Sequence, residues 1–304
     1  MSGENLEPNG STRIQKSAID AGFSELRAAF RDEDGFESFM SELKEIMASF
    51  KCPTHDWQHL VRVTHIALSL AESCRKEGHE IAGAILEIGA LCHDVCDSKL
   101  IVGPKEQKIE NLRSMLKKFT VFNEETVDCI VGLVTNIGYK HLIDANRVLP
   151  EYLREGGAYR MEYLIVQDAD LLDAIGAVGV ARCMAFSGKK NRPLVYPLLG
   201  PNFHDDFGAE QYAAGAADDG ALSHFFEKLF RIPALLQTAA GKAMGEKKNA
   251  AMLHFVQDVV EEVGPLSSSD AAYSPFLPKD EAATVADFVK LSQNTNDVRT
   301  HYAL

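Results

Sequence analysis

Four polar side chains of this sequence stand where apolar residues are expected. In DWQHLVRVTHIALSL, residues 56–70, His59 recurs with Val63, Ile66 and Leu70 at helical spacing, so its imidazole falls on the buried face one turn from the helix start. In AGAILEIGALCHD, residues 82–94, Leu86, Gly89 and His93 share a face, and Asp94 follows directly. In EYLIVQDADLLDAIGAV, residues 162–178, the stripe Met161, Ile165, Asp168, Leu172, Ile175 sets a carboxylate in the middle of what should be core. An unpaired carboxylate there would cost on the order of several kcal/mol, so it implies a basic partner, a hydrogen-bond cluster or a cation. One divalent ion held by His59, His93, Asp94 and Asp168 would account for all three helices at once. The alternative is that each imidazole serves a backbone carbonyl, and periodicity alone leaves that reading open.

Those side chains must be carried by helices. The chain has 304 residues, 46% hydrophobic and 25% charged, with no alternating strand-type run and no fixed repeat, which predicts an all-α core, a compact multi-helix bundle. Starts are expected near 36, 57, 81, 106, 123, 160, 219 and 235, with Asp56 and Asn123 as N-caps, and stops at Gly78, at Gly138 and at Ser187-Gly188 after one long helix from 160. Residues 1–20 read as a flexible tail, 21–263 as the helical domain with its metal-site core at 55–185, 264–280 as a linker and 281–304 as a C-terminal helix and tail. The Gly- and Pro-rich stretch 187–217 is over-long for a connection and reads as disorder or a lid.

Composition narrows the partners. Forty-four acidic against 31 basic residues give a net charge of -13, which disfavours a nucleic-acid polymer or an anionic membrane while leaving room for a small anion in a local basic pocket. The six cysteines (Cys52, Cys74, Cys92, Cys96, Cys129, Cys183) form no CxxC pair, which fits reduced thiols in the cytoplasm, and Cys92 and Cys96 read as core filling. No stretch has the apolar length of a signal peptide or a membrane span, so a soluble intracellular protein is expected. The number of apolar helices leaves room for a homo-oligomer.

The order H-x-x-R-V at 59–63, His93-Asp94 at a helix end, and Asp168 beyond a further helix pair resembles the HD superfamily of metal-dependent phosphohydrolases. HDWQHLVRV at 55, HDVCDSK at 93, TNIGYK at 135, QDADLLDAIGAVGVAR at 167 and SHFFEKL at 223 are together similar to the small HD proteins of the YedJ/YpgQ type, over about residues 40–263. The chain departs from that pattern at His141, where a glycine is expected, and in an acidic, Ala-rich insert at 205–219. The resemblance implies one divalent metal ion as cofactor and a nucleotide or other small phosphate compound as substrate, with nucleoside triphosphate pyrophosphohydrolysis as the activity credited to some members.

In that frame Asp97, one turn after His93, is the candidate catalytic acid–base residue, with a surface ion pair to Lys99 as its alternative. Lys99, Lys140, Arg192, His224 and Lys228 are the candidate phosphate contacts; Lys189 and Lys190 lie beside Arg192. Asp56 is occupied as a cap, His55 is a minor candidate for substrate, and His204-Asp205 sits in a loop with no helix to orient it. Asp170 and Asp173 read as a solvated or ion-paired face. Mixed nitrogen and oxygen ligands admit Mn, Mg, Fe, Co, Ni or Zn, and a phosphate substrate tilts the choice to Mn or Mg. Two other readings compete: a dinuclear phosphodiesterase or di-iron oxygenase, disfavoured because 95–167 offers only His141 as an added histidine, and a silent metal-containing nucleotide-binding scaffold.

Overall fold

Capping chemistry sets where the site-bearing helices begin. The computed structural model describes residues 24–30, 33–96, 104–119, 121–144, 146–195 and 220–263, and among these every regular element is helical. The expected linker and C-terminal helix, Asp97, Lys99, His204, Asp205 and the 205–219 insert lie outside the described residues. Two compact units are distinguished, residues 1–136 with 150–166, and residues 137–149 with 167–304.

In the first unit the helices are α1 (Ser24–Phe30), α2 (Glu33–Ser49), α3 (Trp57–Lys76), α4 (Gly83–Cys92), α5 (Lys105–Lys117) and α6 (Glu124–Val134). Asp56 accepts a hydrogen bond from the His59 backbone N–H at 2.9 Å, and Asn123 accepts one from the Thr126 N–H at 2.8 Å, both as the sequence predicts. A hydrophobic core including Leu60, Ile88, Leu91, Ile130 and Val134 binds α3, α4 and α6 together. Phe30 sits at its aromatic end, with the rings of Phe36, Phe39, Phe119 and Phe122 at 5.5 to 5.8 Å. Aromatic pairs at such separations each add about 0.5–1.5 kcal/mol beyond simple burial, so this cluster stiffens the frame carrying His59 and His93.

The second unit holds α7 (Tyr139–Leu142), then, after the 3₁₀ turn Glu151–Leu153 of the first unit, the C-terminal half of α8 (Arg160–Asp173), followed by α9 (Gly176–Lys189), α10 (Ala221–Glu227), the 3₁₀ turn Leu229–Arg231, α11 (Ile232–Leu235) and α12 (Ala239–Val263). The single long helix expected from 160 is two helices. Ile175 is extended and Gly176 takes φ +77°, a left-handed conformation that only glycine adopts cheaply, so the chain breaks step before α9. The stop at Ser187-Gly188 falls slightly later, at Lys189. No helix among the described residues is long and apolar enough to cross a membrane.

Candidate functional site

His59 stands in the first turn of α3 and is 1% exposed; His93 caps the end of α4 at 5%, and Asp94 follows at 7%. Their polar atoms converge. The Nε2 atoms of His59 and His93 are 3.1 Å apart, Asp94 Oδ2 is 3.2 Å from His59 Nε2, and Asp94 Oδ1 is 3.6 Å from His93 Nε2. His93 Nδ1 is 2.7 Å from the Ala90 carbonyl, which can only accept, so the neutral ring carries its proton on Nδ1 and leaves the Nε2 lone pair facing His59 and Asp94. A carbonyl partner is thus present, as the bland reading of a buried histidine required. It occupies the opposite nitrogen, however, and orients the ring as second partners orient metal ligands.

Asp94 Oδ2 is buried and makes no well-formed hydrogen bond despite its 3.2 Å approach to His59. Burial would raise the Asp94 carboxyl, but the neighbouring imidazoles of His93, His59 and His55 outweigh it and hold the group well below the usual carboxylate range. Nitrogen and oxygen donors each about 2.0–2.2 Å from one cation stand about 3 Å from each other. The 3.1, 3.2 and 3.6 Å separations fit that arrangement with small adjustments.

Asp168 is spent otherwise. It is fully buried and accepts hydrogen bonds from the Gln237 N–H at 2.8 and 3.1 Å, from the Thr238 N–H at 2.8 Å, and from the Thr238 hydroxyl at 2.8 Å. Thr238 in turn accepts from the Gly241 N–H at 3.0 Å, so the carboxylate is built into the capped N-terminus of α12. A Cβ on Gly241 would come within 2.5 Å of Asp168 Oδ2, so the close approach needs glycine there. Burial pushes the Asp168 carboxyl up to about 6, against the pull of the Thr238 and Gln237 donors. Asp173 is ion-paired with Arg182 at 2.6 Å, as the sequence suggests.

The candidate anion contacts are dispersed in environment. Lys228 lies with its Nζ 5.2 Å from the Tyr139 ring centre, which joins the SHFFEKL and TNIGYK motifs. His224 Nδ1 is 4.0 Å from Glu227 Oε2, Lys140 is exposed, and the Arg192 guanidinium stands 5.3 Å from the Phe186 ring. Gln167, which the sequence did not single out, is fully buried and accepts from the Gly138 N–H at 3.1 Å, fixing the turn that presents Tyr139 and Lys140.

No family model matches the chain. Among curated proteins, Bacillus subtilis YpgQ is 31% identical over 210 residues, covering 69% of this chain and 84% of YpgQ. The structure of YpgQ in complex with ADP has a TM-score of 0.52 at 26% identity, covering 75% of this chain and 97% of YpgQ. A Bacillus thuringiensis HD-superfamily hydrolase is similar with a TM-score of 0.53 and 27% identity, covering 76% and 98% of the two chains. A Lactobacillus plantarum protein reaches a TM-score of 0.60 at 26% identity, with 77% and 98% covered. The buried His–His–Asp arrangement and the relationship to YpgQ lead to one assignment: the chain belongs to the HD superfamily, in its YpgQ-like group.

Proposed function

We propose that this protein is a metal-dependent phosphohydrolase acting on a nucleotide or another small phosphate compound, with pyrophosphohydrolysis of nucleoside triphosphates as the favoured reaction. The observation that carries it is the buried convergence of His59 Nε2, His93 Nε2 and Asp94 Oδ2, an acceptor-rich cluster whose chemistry suits a cation. The ADP complex of YpgQ supports a small phosphate ligand for this chain too. The ligands in this reading are His59, His93 and Asp94, with Asp170 in place of Asp168 as the fourth because the Asp168 oxygens are already engaged by Gln237 and Thr238. That residues 95–167 offer only His141 as a further histidine favours a mononuclear centre over a dinuclear one.

A divalent ion bound there would supply Lewis acidity, lowering the pKa of water and offsetting charge on phosphoryl oxygens. The residues of the chain do the rest. The Ala90 carbonyl keeps the His93 proton off Nε2, and the buried Asp94 carboxylate contributes the negative charge that selects a cation. Asp97, four positions after His93 in the sequence, takes the proton of the attacking water or returns it to the leaving group. Lys140, His224 and Lys228, with Lys99 and Arg192, bind phosphate oxygens by charge-assisted hydrogen bonds.

The test is product analysis by phosphorus NMR after incubation with nucleoside triphosphates and Mn or Mg. Pyrophosphate plus monophosphate, with turnover reduced at least about a hundredfold in Asp94→Asn, is the expected result. No turnover of any phosphate compound by metal-loaded protein leaves the scaffold reading standing.

A further inference from the structure

Between α2 and α3 the chain turns through Lys51-Cys52-Pro53-Thr54-His55-Asp56. Lys51 takes φ +48°, and its backbone N–H closes on the Ala48 carbonyl at 3.4 Å, so the turn is tightly folded. It brings three polar side chains to one point. Cys52 Sγ lies 3.3 Å from His55 Nδ1 and 3.4 Å from Thr54 Oγ1, and Thr54 Oγ1 lies 3.0 Å from His55 Nδ1. Cys52 is buried, 9% exposed, with the exposed Lys51 and Pro53 on either side of it in the turn.

We infer that Cys52 and His55 form a nucleophilic pair, and that Cys52 is a modification site of this protein for hydroperoxides and other soft electrophiles. A thiolate beside an imidazole is the reactive form of cysteine. The His55 hydrogen bond, outweighing burial and aided by Thr54, brings the Cys52 thiol down to about 6. Burial instead pushes Cys96 and Cys183 up to about 11 and raises Cys92 and Cys129. With a hydroperoxide, the Cys52 sulfur attacks the distal oxygen. The S–O bond forms as the O–O bond breaks, the departing oxygen takes the proton that the thiol has given to the imidazole, and the products are a sulfenic acid and an alcohol or water. Sulfur is oxidised by two electrons and the peroxide reduced by two. The His55 ring also stands edge-on to His59 at 5.7 Å between centres, so an adduct on Cys52 would press on a neighbour of the metal-binding group.

The experiment treats the full chain with limiting iodoacetamide between pH 5 and 9 and locates the label by peptide mass spectrometry, without substrate, so that its outcome is independent of the proposed hydrolysis. Sulfur displaces iodide, and Cys52 is expected to be labelled at least about tenfold faster than any other cysteine. The rate should be half-maximal near pH 6. His55→Asn should move that midpoint toward the ordinary thiol value of about 8.5 and slow labelling at pH 7. Limiting hydrogen peroxide followed by dimedone should mark the same residue, and Cys52→Ser should lose both labels. Labelling spread over several cysteines, labelling of Cys52 only in denaturant, or an ordinary midpoint in the unsubstituted protein would overturn the inference. If His55→Asn does not fold, the midpoint of the unsubstituted protein decides alone.

Discussion

Asp168 and Asp170 lie two positions apart on one helix, and what surrounds each carboxylate separates their roles. Asp168 has both oxygens engaged by Gln237 and Thr238, whereas Asp170 is the proposed fourth ligand of the ion. Asp168→Asn is therefore expected to destabilise the fold by about 1–3 kcal/mol, because buried donors lose a charged acceptor, while metal content per folded chain persists. Asp170→Asn should leave the urea midpoint nearly unchanged and lower bound metal at least about tenfold. Elemental analysis paired with urea titration of both variants checks this, and the reverse pattern would return Asp168 to the ligand set. The sequence made His59, His93 and Asp94 legible because a polar residue on an apolar stripe is a local signal. It shows equally that Asp168 is buried, but not what satisfies its carboxylate. The partner that satisfies Asp168 comes from Gln237 and Thr238, about seventy positions along the chain, and no periodicity reports it.

At the scale of elements, caps and apolar stripes placed α2 to α6 and the start of α8 within a few residues, because each is long enough to show a helical period. The one-turn helices α7 and α11 show none. The break between α8 and α9 was also hidden, since Gly176 continues the small-residue pattern and only its φ of +77° ends the helix. Gly176→Ala should destabilise the protein by about 1–3 kcal/mol, from the strained φ and from a Cβ placed 2.9 Å from the Lys248 side chain, measurable as a lowered urea midpoint. A pH effect belongs to α4 and its contact with α1. Glu87 on α4 is 1% exposed and accepts from the Leu26 N–H at 2.8 Å. Burial is the main cause that pushes its carboxyl up to about 7, with Glu25 adding to it and the Leu26 donor and Arg75 opposing. The folded form then binds a proton the unfolded chain has released, so stability falls as pH rises from about 4.5 to about 7. Glu87→Gln should flatten this part of the stability profile, and thermal unfolding at pH 5 and pH 8 should show its advantage growing toward pH 8.

For the whole molecule, a net charge of -13 means that divalent cations gather around the chain whether or not a specific site exists, so raised stability in Mn or Mg is not by itself a sign of the proposed centre. Specific binding differs in form. An ion that binds only the folded state stabilises it by RT ln(1 + [M]/Kd), about 2.7 kcal/mol at a hundredfold excess over Kd, and the gain continues at high monovalent salt where diffuse attraction is screened. Buried donors on α3 and at the end of α4 exist only after folding has brought them to 3.1–3.6 Å, so metal and fold are coupled through them. The melting temperature in 0.5 M KCl should rise by several degrees from chelator to saturating Mn or Mg. Asp94→Asn should lose that rise, having lost the carboxylate that favours a cation. Asp56→Asn, which keeps the α3 cap, should retain the metal response. Equal metal responses in the parent and Asp94→Asn would leave only diffuse attraction and remove the physical basis of the catalytic reading.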